Sequence, residues 1–194
     1  MKKIYVILSH TGTILSKAIK LRTGAEYTHA SIALDRNLRN MYSFGRLNPY
    51  IAFLGGFVRE SKNFGTFKRF KNTQVSILEL EVTEKQYEQI HYQICYMKRN
   101  KRKYSFNYLG LILAGINMKN TNKYQFYCSE FVKYILEQAN LDLTNLPEIT
   151  KPEDLKKLKN AHIVYKGYLR DFEVEKIDLM KYLRIIGKSK KIPV

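Results

Sequence analysis

A cysteine and a histidine, about a hundred residues apart, are the side chains best suited to covalent chemistry in this sequence. Cys128 is predicted to begin a helix, because apolar residues follow it at helical spacing. The free N–H groups and the dipole at a helix N-terminus favour an anion, and a thiolate is such an anion. Cys128 is therefore a candidate nucleophile, and the alternative is a small buried apolar residue. The second cysteine, Cys95, lies late in a predicted helix and is interpreted as an inert core thiol.

A nucleophilic thiol needs a base, and His29 is the preferred candidate. It lies near the start of a predicted strand at residues 28–35, where alternation places it on a polar face of small side chains. That face leaves room beside the imidazole for a substrate or a facing helix. Taken singly, each of the other histidines is more often structural than catalytic; they are His10, His91 and His162.

A third polar side chain should orient the imidazole and fix its tautomer. Asp35 shares the face of His29 but lies six residues away, about 20 Å along a strand. The next predicted strand, at residues 41–46, brings Ser43 or Arg46 near His29, depending on the length of the turn. An arginine would repel the imidazolium, so Ser43 is the predicted third residue.

These motifs resemble a known family. A strand that begins with residues 28–32 (THASI), followed by a helix that opens with residues 127–132 (YCSEFV), is similar to the permuted NlpC-type papain-like cysteine hydrolases. The YiiX-like branch is the most similar, and the lecithin–retinol acyltransferases are more distant relatives. In ordinary papain-like enzymes the cysteine precedes the histidine, and a circular permutation reverses that order. Residues 150–155 (TKPEDL) also resemble a recurrent element of this branch, and the likeness spans roughly residues 1–170.

The resemblance implies a circularly permuted papain-like fold, with an antiparallel sheet or small barrel and the cysteine helix packed against it. It implies Cys128 as nucleophile and His29 as base, with Ser43 where relatives often carry histidine or glutamate. The implied reaction is acyl transfer on an amide of a peptide or cell-wall type. The alternative within the same fold is a lipid ester or thioester hydrolase or acyltransferase. No phosphate loop, zinc spacing or nucleotide motif is present, so no cofactor or metal is expected.

The elements that must position these residues follow from the hydrophobic pattern, which predicts an α+β domain on an antiparallel sheet. Expected strands lie at residues 4–8, 28–35, 41–46, 74–82, 123–127 and 163–168. Helices are expected to begin at Thr13, at the capping box 83–86, at Cys128 and at Thr150, with a short buried helix within 107–116. Residues 48–65 contain one proline and three glycines and are predicted to be irregular.

The chain is strongly basic, with 34 lysines and arginines against 17 acidic residues and a formal net charge of +17. That balance favours anionic partners. The densest run, residues 98–103 (KRNKRK), is interpreted either as a solvated helix end or as a phosphate or lipid-headgroup site. No nucleic-acid-binding motif accompanies it, and peripheral membrane contact stays open. The non-enzymatic alternative is a basic module that binds nucleic acid or an anionic membrane.

A length of 194 residues predicts a single domain, with a core at about 1–170 and a basic C-terminal extension at 171–194. The 45% apolar content excludes a disordered chain. The N-terminal apolar run is shorter than the roughly 7–15 residues of a signal peptide, and no run of about 18 apolar residues follows. Two cysteines make no disulfide framework, so reduced thiols and a cytoplasmic location are expected.

Overall fold

A six-stranded antiparallel sheet forms the centre of the computed structural model, which describes residues 1–13, 16–17, 20–21, 24–51, 54–108 and 122–174. The strand order is β4-β3-β2-β1-β5-β8. These strands are β1 (Lys2–His10), β2 (His29–Ala33), β3 (Met41–Arg46), β4 (Gly55–Glu60), β5 (Gln74–Val82) and β8 (Ala161–Tyr168). Two short parallel strands, β6 (Ser105–Phe106) and β7 (Gln125–Phe126), pair separately. The predicted α+β class with an antiparallel sheet is confirmed.

Three α-helices are described: α1 (Gly65–Arg69), α2 (Glu84–Arg99) and α3 (Cys128–Gln138). Short 3-10 helices occupy Lys101–Lys103, Pro152–Lys157 and Leu169–Asp171. The capping box predicts the start of α2 correctly, because the Gln86 N–H donates to the Thr83 hydroxyl at 3.2 Å and the Gln86 side chain accepts from the Thr83 N–H. The helix predicted at Thr150 is instead the 3-10 helix that begins with Pro152.

Strand β1 lies at the middle of the sheet because it is apolar on both faces. Val6 and Leu8 contribute to the core that α2 and α3 cover, whereas Tyr5 and Ile7 contribute to a second core on the opposite face, which includes Phe67 of α1. Strand β1 pairs with β5 along nine residues and with β2 along five. The start of β2, which carries His29, is thereby fixed beside the end of β1.

Strand β4 corrects the prediction that residues 48–65 are irregular. Its two leading glycines weaken the strand pattern, because glycine has a low strand propensity. Gly55 is required by a close neighbour, because a Cβ atom there would lie 2.7 Å from the Tyr108 hydroxyl oxygen.

Some predicted segments fall partly or wholly outside the described residues. For the helix expected at Thr13, the cap is observed, because the Ser16 N–H donates to the Thr13 hydroxyl at 3.2 Å. Its expected inward residues lie outside the described part, as do most of residues 107–116 and the extension from residue 175 onward. The residues expected to point inward from this helix, all outside the described part, are Ile14, Leu15, Ala18 and Ile19.

Candidate active site

The N-terminus of α3 is held in place by aromatic packing and by a buried hydrogen bond. The Phe131 ring lies 5.4 Å from the Phe44 ring and 5.7 Å from the Phe57 ring, centroid to centroid. These contacts fix α3 against β3 and β4. One residue after the cysteine, the Ser129 hydroxyl donates to the Thr150 carbonyl at 2.9 Å. Cys128 therefore occupies a rigid first helical turn, as the sequence predicts.

His29 meets Cys128 at this position. Cys128 is among the neighbours that raise the pKa of His29, and both side chains line one open cleft. The Cys128 residue is only 4% exposed and the His29 side chain 19% exposed, so solvent reaches the pair through the cleft. The structure thus brings together the two residues that sequence reasoning assigns as nucleophile and base.

Glu60, at the end of β4, is the polar partner of the imidazole. The His29 Nε2 lies 3.0 Å from Oε1 and 3.3 Å from Oε2 of Glu60. The Ser31 hydroxyl donates to Oε2 of the same carboxylate at 2.5 Å. Because Nε2 is directed to Glu60, Nδ1 is the ring nitrogen that this carboxylate does not contact. Glu60 thereby orients the imidazole ring.

Ser43 does not occupy the predicted position beside the imidazole. Its hydroxyl donates to the Ala30 carbonyl at 2.6 Å and also lies 3.3 Å from the Phe44 carbonyl. The loop between β2 and β3 is longer than the predicted turn, since Ala33 pairs with Met41. That register brings Gly45, and neither Phe44 nor Arg46, next to His29.

The charges of this group favour a protonated imidazole. Burial acts to lower the pKa of His29, but the Glu60 carboxylate, together with the hydrogen bonds to Cys128 and Glu60, holds that pKa well above the ordinary value of 6.5. An imidazolium beside a thiol favours the thiolate, which is the nucleophilic form. Glu60 therefore stabilises the imidazolium form of His29.

The segment 150–155 connects the two halves of the site. The Thr150 carbonyl accepts from Ser129, next to the nucleophile. Three residues later, the Glu153 carboxylate accepts from the Tyr27 N–H at 3.1 Å, two residues before His29. The element that resembles a family motif in the sequence therefore contacts the cysteine helix and the chain that enters β2.

Cys95 is not the core thiol that the sequence suggests. It is partly exposed on α2, and its sulfur lies 3.5 Å from Nε2 of His91, one helical turn earlier. It does not line the cleft that contains Cys128. The chain therefore contains two thiols beside histidines, of which only Cys128 lies at a helix N-terminus.

Gly45 packs against both members of the His29–Glu60 pair, and Gly45→Ala tests this packing. A Cβ atom there would lie 3.3 Å from Cε1 of His29 and 3.3 Å from Oε1 of Glu60. At this distance the two side chains must shift by a few tenths of an ångström to make room for the methyl group. We expect Gly45→Ala to slow alkylation of Cys128 by iodoacetamide about tenfold.

The matched control for this prediction is Gly56→Ala, at the position paired with Gly45. A Cβ atom on Gly56 meets only the flexible end of the Leu47 side chain, at 3.4 Å. We expect this variant to react at the unmodified rate. Equal rates for Gly45→Ala and the unmodified protein would show that the imidazole is not confined by Gly45.

Among the described residues, no group of three or more His, Cys, Asp or Glu side chains is arranged to hold a metal ion. Nor does any helix in the described part of the chain have the length and apolar character needed to span a membrane. The chain matches no protein-family model and no curated protein. The site therefore has to be interpreted from its own geometry.

Proposed function

We propose that the protein is a cysteine hydrolase that transfers acyl groups from an amide substrate through a thioester at Cys128. The observation that carries this proposal is that Cys128 and His29 line one open cleft at the N-terminus of a helix, with Glu60 hydrogen-bonded to His29 at 3.0 Å. A thiol, an imidazole and an orienting carboxylate in that order form the arrangement that activates a cysteine for nucleophilic attack.

In the first half of the reaction, the Cys128 sulfur attacks the acyl carbon and forms the C–S bond. The backbone N–H of Cys128 is among the first N–H groups of the helix, which have no partner within it, and it donates to the developing oxyanion. The His29 imidazolium then gives its proton to the leaving amine as the C–N bond breaks, and a thioester remains.

In the second half, a water molecule attacks the thioester and His29, now neutral, takes the proton of that water. The C–S bond breaks, the carboxylic acid product leaves, and Cys128 and His29 return to the thiolate and imidazolium. Glu60 touches neither reacting atom in this scheme. It is a positioning residue that orients the ring and stabilises its charge in each half-reaction.

The proposal extends to the permuted papain-like fold of the YiiX-like branch. Its support is the order of the two reactive residues in the chain and the packing of the cysteine helix against an antiparallel sheet. The expected substrates are peptides or cell-wall-type amides. Because the chain has two cysteines and both are free thiols, we also propose that the enzyme acts in the cytoplasm.

An activated ester tests acyl transfer without knowledge of the natural substrate. We expect p-nitrophenyl acetate to acetylate Cys128 and to release p-nitrophenolate with turnover, as measured by absorbance and by peptide mass spectrometry. Cys95→Ser should behave like the unmodified protein, whereas Cys128→Ser should release no more product than the reagent in buffer. Turnover that persists in Cys128→Ser would contradict the proposal.

A lipid acyl substrate is a second candidate, because one loop beside the cleft is apolar and exposed. The β3–β4 loop begins after Arg46 and ends before Gly55, both of which line the cleft. Among the described residues of this loop, the exposed apolar side chains are Leu47, Tyr50, Ile51 and Leu54. Exposed apolar groups at a cleft entrance suit an acyl chain or a membrane surface. Faster hydrolysis of a long-chain than of a short-chain p-nitrophenyl ester, lost in Leu54→Ser, would favour this candidate over the amide.

A further inference from the structure

Arg46 is a half-buried cation in the same cleft as the nucleophile. It is the last residue of β3, and one guanidinium nitrogen donates to the Thr13 hydroxyl at 3.0 Å. No ion pair joins it to a carboxylate among the described residues. A single neutral hydroxyl is a poor partner for a guanidinium, which has five N–H donors.

The surroundings of Arg46 disfavour its positive charge. Burial lowers the pKa of Arg46, and the neighbouring charge of Arg69 lowers it further. Arg69 is itself directed away, with its guanidinium 4.0 Å from the centre of the Tyr50 ring and bonded to the Pro49 carbonyl at 3.0 Å. A partly desolvated cation without a counterion costs free energy, which an incoming anion would recover.

The remaining polar lining of the cleft consists mainly of hydroxyl groups. The Tyr108 hydroxyl is buried, and its proton has no acceptor among the described residues. Burial raises the pKa of Tyr108, so this hydroxyl keeps its proton and can donate. Among the described lining residues only Glu60 is acidic, and it already binds His29 and Ser31. No carboxylate of the described cleft lining is therefore left for Arg46.

We propose that Arg46 and Tyr108 form a subsite for an anionic group of the substrate, a carboxylate or a phosphate, close to the acyl group that Cys128 attacks. This inference rests on the proposed function, because it defines the substrate class of the same cleft. Guanidinium groups bind both anions through paired hydrogen bonds. The cleft has a volume of about 80 Å³, enough for several water molecules or for one such group. The substrate is therefore an anionic acyl compound.

Two alkylating reagents that differ only in charge test the subsite. In each, the Cys128 sulfur displaces iodide and a C–S bond forms, but iodoacetate carries a carboxylate where iodoacetamide carries a neutral amide. The measured quantity is the ratio of the rate with iodoacetate to the rate with iodoacetamide. We expect this ratio to be higher for Cys128 in the Cys95→Ser protein than for free glutathione. The additional change Arg46→Gln should reduce the rate ratio of iodoacetate to iodoacetamide about tenfold.

The matched control is Arg102→Gln, which removes the same charge from an exposed position outside the cleft. It should leave the ratio unchanged. An equal fall in both arginine variants would overturn the subsite, because the preference would then arise from the net charge alone. An unchanged ratio in Arg46→Gln would also overturn it. If iodoacetamide itself failed to label Cys128 in the parent protein, the proposed function and not the subsite alone would be wrong.

Protection by small anions identifies the anion and needs no change at Arg46. We expect acetate or inorganic phosphate to slow the reaction of Cys128 with iodoacetamide relative to chloride at equal ionic strength. Stronger protection by acetate would indicate a carboxylate substrate, and stronger protection by phosphate a phosphorylated one. Tyr108→Phe, which removes a single oxygen, should weaken the protection severalfold. If acetate, phosphate and chloride slowed the alkylation of Cys128 equally in the unmodified protein, the subsite would be overturned. This outcome does not depend on whether Arg46→Gln folds.

Discussion

His29→Ala is expected to slow the alkylation of Cys128 by iodoacetamide at pH 6 about 100-fold, the largest effect among the variants. In the proposed mechanism the His29 imidazolium favours the thiolate of Cys128, which is the form that reacts. The variant removes that imidazolium. The magnitude corresponds to the lower end of what a positioned acid or base contributes. The measurement is the rate of mass gain on the peptide that contains Cys128.

The control for this prediction is His91→Ala, which removes the imidazole beside the other thiol, Cys95. It should leave the rate at Cys128 unchanged. Thermal unfolding of both variants shows whether the fold persists. A folded His29→Ala protein that still reacts at the unmodified rate would mean that Cys128 does not depend on His29.

Glu60→Gln is expected to produce the second-largest effect, a reduction of about tenfold in the same rate. The amide keeps the shape of the side chain but removes the charge that stabilises the imidazolium. A hydrogen bond to a charged group contributes about 1.5–3 kcal/mol, which corresponds to roughly tenfold or more in rate. The pKa of His29 should fall toward 6.5, as followed by the NMR signal of its Cε1 proton. Ser43→Ala is the matched control and should change neither the rate nor this pKa.

The His29–Glu60 pair makes the free energy of unfolding depend on pH, and the direction of that dependence can be predicted. The pKa of His29 is higher in the folded than in the unfolded chain, so protonation favours the folded state. The stabilisation is fully present below pH 6.5 and is lost as the pH rises through the folded-state pKa. The difference in the free energy of unfolding between the unmodified protein and Glu60→Gln should therefore shrink as the pH rises above 6.5. Urea denaturation over a pH series measures it, and a difference that grows with pH would contradict the assignment.

Much of the scaffold could be predicted from local patterns in the sequence. Alternating apolar residues located β5, and the repeat of apolar residues after Cys128 located α3. The capping box gave the start of α2. These patterns are strong predictors because they involve only residues that lie close together in the sequence. The same kind of pattern places Cys128 at the start of a helix and His29 near the start of a strand, and the structure shows both positions.

The third member of the site could not be found in this way. Glu60 lies on an edge strand whose pattern is weakened by Gly55 and Gly56, so local patterns predict an irregular segment there. Such patterns offer partners for His29 only on the next strand, at Ser43 or Arg46, and Ser43 is preferred because an arginine would repel the imidazolium. The order of three strands in the sheet is what brings the Glu60 carboxylate across β3 to the imidazole. Gly45 was one available signal of a packed site at this position, because glycine within a strand often marks the close approach of another group.

The most direct test of the account is the order in which the two cysteines of the unmodified protein react with iodoacetamide at pH 6. Exposure alone favours Cys95, which is partly exposed, over Cys128, which is 4% exposed. The thiolate–imidazolium pair predicts the opposite order, with Cys128 modified at least about tenfold sooner by peptide mass spectrometry. Equal rates, or earlier modification of Cys95, would contradict the account and favour a non-enzymatic basic module.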